Sequence, residues 1–467
     1  MSLAKPTLTA VDHDPFAGPA LSAFVPSSES QREVWLATQF GTAGNLAYNE
    51  GLRIDLAGTL DEAALRQALQ TVLDRHEALR ASFSPDGQHL LIAETLPLDL
   101  PLRDLSSLPA EARAAELAQL CAQEMGTAFD VEHGPLVRFL LVRLAAESHH
   151  LLFIAHHAVC DGWSGAVVIT ELAALYSARV EGVEKLLPAA ARYGDYSLIE
   201  RGFLESDEGS KHLDYWLTQL KDAPTPPQLP TDLTPQSSNS LKAARLDLAL
   251  DADLIRQLRA TGSAHGASLV ATMLASFAGL LYRFTGQSDL VIGLAAAGQS
   301  FHEQKMLVGH CVNLLPLRVK LDGAAPFTAA LHSTRGAVLD AFDHQGVTFG
   351  SLLPRLELSR DDERPPLVSV VFNIDVRDDD IRHTGLEVAY HTLVRQAETF
   401  ELFINVVDNG KSLVLEASYN TALYSAGLMQ RYLQGFESLL RAVCQSTQTP
   451  LDALPLVGAE ARAQLEA

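Results

Sequence analysis

Apolar residues recur along this chain at two spacings, and the change from one to the other divides it into helices and strands. Within residues 61–75 they fall at Leu65, Leu69, Val72 and Leu73, steps of three and four that draw one stripe down a helix. Residues 110–125, 164–180, 268–282, 326–344 and 426–444 carry the same period. Another helix is expected after Ser27-Ser28-Glu29-Ser30, whose small hydroxyls suit an N-cap ahead of Val34, Trp35 and Ala37. Alternating or short continuous apolar runs predict strands over 51–56, 137–144, 149–157, 290–294, 315–321 and 367–374. The short link 145–148 makes two of these a hairpin. Strands 401–407 and 413–419 flank Asp408-Asn409-Gly410-Lys411, where Asn-Gly suits the positive φ angles of a tight primed turn.

Periodicity lapses between about 203 and 241, where Pro224, Pro226, Pro227, Pro230 and Pro235 stand among Thr, Asp and Ser. Proline fixes its own φ and restricts the residue before it, so an extended connector is expected there. Helix and strand patterns recur on both sides, which reads as an α/β or α+β sandwich built as two similar lobes. The expected division is a flexible leader over 1–24, an N-terminal lobe over 25–205, a connector over 206–240 and a C-terminal lobe over 241–467. The length of 467 residues, too much for one ordinary core, agrees with two.

Composition narrows the partners. A net charge of -22 argues against a nucleic-acid groove and against an anionic membrane surface. No run of about 18 apolar residues is present to span a bilayer. Cys121, Cys160, Cys311 and Cys444 are far apart, which is neither a disulfide framework nor a zinc site and suits a reducing compartment. The first 24 residues lack the basic start and apolar core of a signal peptide. A cytoplasmic monomer without nucleic-acid or membrane partners is expected.

The chemistry concentrates in His156-His157-Ala158-Val159-Cys160-Asp161-Gly162-Trp163-Ser164. An apolar strand that stops at a histidine pair sets an imidazole at the lip of a sheet, and Asp161-Gly162 turns the chain into the next helix. Imidazole exchanges protons near neutrality. The structural alternative is a histidine pair that ends a buried strand and is satisfied by backbone carbonyls.

The pattern His-His-x-x-x-Asp-Gly resembles the signature of the condensation domains of nonribosomal peptide synthetases, members of the chloramphenicol-acetyltransferase-like acyltransferases. Further segments resemble that family in order: Ser28 to Trp35, Arg75 to Phe83, Tyr193-Gly194-Asp195-Tyr196, Ile292-Gly293 through Gly298, Val308 to Arg318, His344 to Phe349 and Arg364 to Asn373. Together they run from about residue 26 to about 450.

The resemblance implies two chloramphenicol-acetyltransferase-like lobes in a V-shaped pseudo-dimer, with the active site in a tunnel between them. It implies an acyl donor held as a thioester on the phosphopantetheine of a donor carrier protein. The acceptor amine would come from a second carrier or a small molecule, and the chain itself would bind no cofactor or metal. His157 is the expected proton-handling group, His156 packs or orients, and Asp161 is architectural. Backbone N–H groups from Gly162 onward are expected oxyanion donors. Trp163, Ser164, Asn313 and Ser369 are expected to line the tunnel. Family members often carry arginine where Gln299 stands, so Asp161 needs another partner, and Arg75 or Arg80 is expected to supply it.

Other readings have less behind them. Cys160 as a nucleophile lacks any sign of a lowered pKa. A metal cluster of His149, His150, His156 and His157 would place ligands on opposite faces of one strand. Condensation onto a hydroxyl, giving an ester, remains an alternative. An inactive carrier-binding platform is a lesser one, opposed by the intact His157 and Asp161, and epimerisation is opposed by Trp163-Ser164.

Overall fold

The computed structural model describes residues 20–234, 240–356, 365–377 and 381–457. A five-stranded sheet carries the histidine motif. Its order is β12 (Leu386–Thr392), β2 (Asn49–Gly58), β7 (Ser148–His156), β6 (Val137–Ala145) and β5 (Leu102–Asp104). Only β5 and β6 run parallel. Central β7 is covered on both faces, which is why its Leu151-Leu152-Phe153-Ile154-Ala155 run is apolar without alternation. Leu65, Leu69 and Val72 of helix Glu62–Arg75 join Val168 and Leu172 of helix Gly162–Val180 in the same buried cluster.

A six-stranded sheet organises the other half. Its order is β10 (Val312–Lys320), β9 (Asp289–Ala297), β11 (Val370–Val376), β13 (Leu402–Asp408), β14 (Leu413–Asn420) and β8 (Ala243–Leu250). Helices Leu269–Thr285, Phe327–Asp343 and Ala426–Gln445 supply Met273, Phe277, Leu331, Phe436 and Leu439 to a second buried cluster. A small sheet, β1 (Leu21–Pro26), β4 (His89–Ala93) and β3 (Ala81–Phe83), completes the strands. No single helix among the described residues is long and apolar enough to cross a membrane.

The halves are interlocked. β12 belongs by sequence to the second half yet pairs with β2. Leu307, Val308 and Cys311 likewise enter the first core. Helix Glu29–Thr38, closed by a Ser28–Gln31 capping box, reaches both ways. Gln31 Nε2 donates to the Ala158 carbonyl at 2.8 Å, and Glu33 Oε1 accepts from the Gly350 N–H at 2.7 Å.

Several local expectations change. Residues 21–24, expected in the leader, begin β1 and pair with β4. The expected connector contains helix Asp207–Gln219, capped by Ser206; prolines enter only from 224. Its buried stripe is Gly209, His212 and Trp216, residue types that a count of apolar positions passes over. Tyr193–Tyr196, one of the family-like segments, opens helix Tyr193–Leu204. In the 408–413 hairpin, pairing closes at Asp408–Leu413, and only Gly410 takes a positive φ (81°), so the turn is a longer loop than a two-residue primed one. Pro235 and Arg364 lie outside the described residues.

Gly309 lies tight against the first half. Its φ is 153°, and a Cβ there would lie 2.1 Å from the ring of buried Tyr193. Gly309→Ala should therefore cost about 1–3 kcal/mol through overpacking, read as a lower urea midpoint. An unchanged midpoint would mean that the contact is not tight.

Candidate active site

Strand β7 ends at His156, and alternation sends the two histidines to opposite sides. His156 is fully buried; its Nδ1 accepts from the Ala158 N–H at 3.3 Å, and its ring meets Phe129 edge-on. Burial holds its pKa down at about 3. It packs and stays neutral. His157 donates its backbone N–H to the Tyr48 carbonyl at 2.7 Å, which carries the β2–β7 ladder one residue further. Its side chain keeps 16% of its surface accessible and turns toward the second half.

There it meets His310. The two Nδ1 atoms are 3.0 Å apart and the rings cross at 88°. Burial, followed by the neighbouring Arg395 charge, lowers His157 to about 4; burial and its partner lower His310 to about 3. Both are neutral at pH 7, so one ring donates its Nδ1–H and the other accepts. Tyr193 Oη donates to the His310 carbonyl and contacts Ser28 Oγ, so the helix Tyr193–Leu204 sets where His310 stands.

On its other side, His157 Nε2 lies 3.2 Å from Glu50 Oε1. Glu50, on β2, also pairs with Arg395, which contacts Glu398 at 3.4 Å. Burial pushes the Glu50 carboxyl up, against the opposing pull of Arg395. Its side chain nevertheless retains 30% of its surface.

Asp161 works elsewhere. Its Oδ1 accepts from the Ser164 N–H (2.8 Å), Ser164 Oγ (2.6 Å) and Gln299 Nε2 (3.1 Å). Its Oδ2 accepts from Gln299 Nε2 (2.8 Å) and the Cys311 N–H (3.0 Å). The carboxylate thus caps helix Gly162–Val180 and fastens the motif loop to the segment from 299 to 311. Ser164 Oγ, while donating to Asp161, accepts from the Gly309 N–H at 2.9 Å.

With this geometry, the comparisons are decisive. The family model described as Condensation domain matches residues 22–466. The chain belongs to the condensation-domain family. It is 32% identical over 440 residues to phosphinothricin tripeptide synthetase PhsC of Streptomyces viridochromogenes, covering 93% of this chain and 40% of that protein. Against a linear gramicidin synthase of Brevibacillus parabrevis it is 33% identical over 452 residues, covering 95% and 9%. This condensation domain therefore spans less than half the length of these relatives. Among solved structures it resembles a starter condensation domain of rhizomide synthetase RzmA in complex with C8-CoA. That likeness has a TM-score of 0.84 at 23% identity and covers 93% of this chain and 98% of that one. It also resembles SgcC5 of Streptomyces globisporus, with a TM-score of 0.76 at 26% identity, covering 91% and 100%. The expected chloramphenicol-acetyltransferase-like fold is the one observed.

Several site expectations for this condensation domain are corrected. Neither Arg75 nor Arg80 is a partner of Asp161; Gln299 takes that place. Arg75 and His76 hold Glu171, whose pKa burial would raise but which these hydrogen bonds bring to about 2. Arg80 donates to the carbonyls of Leu73, Ala93 and Glu94. Ser164 is fully buried in the Asp161 latch and lines no passage. Trp163 Nε1 donates to the Lys305 carbonyl at 2.9 Å. Asn313 lies inside β10, and its amide holds the Gln345 and Val347 carbonyls and the Phe349 N–H, so it fastens a loop. Ser369 is fully buried, with no partner for its hydroxyl among the described residues. Cys160 is buried and its thiol pushed well up, which removes the nucleophile reading. Glu50, His310 and Arg395 were not singled out from sequence; His310 stood within a quoted motif, and Glu50 was the acid just before an expected strand.

Two measurements check this account. Gln299→Leu removes both amide contacts to a buried carboxylate and should cost about 1.5–3 kcal/mol. Gln299→Arg replaces a carbonyl that has no partner among the described residues and should keep or raise the urea midpoint. The second concerns pH. Neutral His156, His157 and His310 gain protons on unfolding below their unfolded value of about 6.5, so stability is present above that pH and falls as pH drops toward about 4. His310→Phe should flatten this fall in melting temperature; an identical slope would deny that His310 is held neutral.

Proposed function

We propose that this chain joins an acyl group, delivered as a thioester on a carrier protein's phosphopantetheine, to an acceptor amine. The observation that carries the reading is His157. It is the motif imidazole with accessible surface, it is neutral at pH 7, and it faces the opposite half. Phosphinothricin tripeptide synthetase is a relative named for making a peptide, which supports an amide product.

The amine nitrogen attacks the thioester carbonyl, forming the C–N bond. The C–S bond breaks and the thiol departs. His157 takes the proton shed by the nitrogen and returns it to the leaving sulfur. Much of the acceleration comes from holding both chains in line, which contributes roughly 7–11 kcal/mol. Positioned proton transfer adds roughly 10²–10⁴-fold. Asp161 is too committed to Ser164, Gln299 and Cys311 to relay protons. A carboxylate near Gly162, Asp375, opposes charge build-up there; a Cβ on Gly162 would lie 3.6 Å from its Oδ1. The oxyanion role expected for Gly162 therefore has little support.

A second reading is a hydroxyl acceptor and an ester product, favoured by the likeness to SgcC5, solved in complex with a 1,2-ethanediol derivative.

His157→Ala should lower condensation between loaded carriers by about 10²–10⁴-fold, measured by mass spectrometry, with the urea midpoint close to wild type. Full activity in the variant would defeat the assignment. With wild type, His157 stays neutral down to about pH 4. Loss of rate below pH 8 should therefore follow the acceptor: about tenfold per unit for an α-amine of pKa about 8, and none down to pH 6 for a hydroxyl.

A further inference from the structure

We propose that Glu50 selects the acceptor: it binds the incoming group as an ammonium ion beside His157 and so restricts this site to amines. This rests on the reading of His157 as the condensing imidazole.

The hydrogen-bond logic starts with Arg395. A carboxylate paired with a guanidinium accepts and does not donate, so Glu50 Oε1 draws a proton onto His157 Nε2. His157 Nδ1 is then the acceptor, and His310 donates its Nδ1–H. In that state His157 has no lone pair for a substrate, and the 3.2 Å contact to Glu50 occupies its working nitrogen. An ammonium ion entering between Nε2 and Oε1 relieves this. It satisfies Glu50 with its own N–H, and His157 shifts its proton to Nδ1, donating to His310 and freeing Nε2. Imidazole at position 310 permits either direction, because a neutral ring can donate or accept at Nδ1.

Charge around Glu50 points the same way. Glu50 and Glu398 share one guanidinium, Arg395. Asp375, beside Gly162, is held by the neutral amides of Asn373 (2.9 Å) and Asn405 (3.0 Å). Among the described residues, Arg395 is the one guanidinium in ion-pair contact with this group, touching Glu50 and Glu398 but not Asp375, on which Arg377 acts from further off. Three acidic side chains thus face two guanidiniums, and burial raises the pKa of each acid, a strain on their ionised forms that a cationic ligand relieves. A hydroxyl acceptor brings no positive charge and would leave Glu50 on His157.

The reaction balances. The ammonium passes one proton through Glu50 to solvent, attack of the free amine forms the C–N bond, His157 takes the second proton, and the thiolate leaving from the broken C–S bond receives it.

The test uses the full chain with leucyl-N-acetylcysteamine and its 2-hydroxy counterpart, equal in shape and differing in charge. By calorimetry wild type should bind the amine at least tenfold more tightly, and Glu50→Gln should bring the two within about threefold. Glu50→Asp, retaining the charge, should keep part of the preference. Equal binding of the two by wild type overturns the proposal, whether or not either variant folds. So does a preference that survives intact in a folded Glu50→Gln. Binding decides this point alone, whereas failure of His157→Ala to lose turnover would defeat the condensation reading instead.

Discussion

One buried carboxylate organises the site. Asp161 accepts from Ser164, Gln299 and the Cys311 N–H, and these groups come from both halves of the chain. A desolvated charge without such donors would be costly, so the motif loop and the segment from 299 to 311 are held together as one piece. That closure acts with Tyr193, which holds the His310 carbonyl, and with the glycine at 309 that lets Tyr193 approach, to place His157 against His310.

The consequence for chemistry is a division of labour among acidic and imidazole groups. Asp161 is saturated and dry. Glu50 is partly accessible and shares its oxygen with the reactive ring. The two histidines of the motif divide similarly: strand alternation buries His156 and leaves His157 partly accessible, so adjacent identical residues acquire different tasks from geometry alone.

Much of this was legible in the sequence. The helices over 61–75 and 110–125 run within a residue of their expected ends: the first has a buried apolar stripe and an Asp61 cap, whereas the second starts after Pro109 without a side-chain cap and buries only Met125. The motif and its family likeness placed the site on the turn between β7 and the following helix. What escaped was tertiary in origin. Helix Asp207–Gln219 buries glycine, histidine and tryptophan, which do not read as an apolar stripe. β12 alternates well enough, but nothing local says that it joins the distant β2. The partner of Asp161 lies 138 positions away at Gln299, a distance over which charge complementarity suggested arginines that are in fact bound to Glu171 and to backbone carbonyls. Asn313 and Ser369 sit where motif order put them, yet Asn313 spends its amide on the 345–349 loop beside a small cavity and Ser369 is fully buried.

The excursion of β12 into the first sheet constrains how such a chain can be recombined. A chimera that joined the first 205 residues of one homologue to the remainder of another would transplant residues 386–392 along with the foreign portion. Its Leu386, Val388 and Tyr390 would then have to fit a strand partner they never evolved beside. Modular exchange between these proteins is thus cleaner when the whole unit moves intact, and splitting it requires grafting that returning strand with its host sheet.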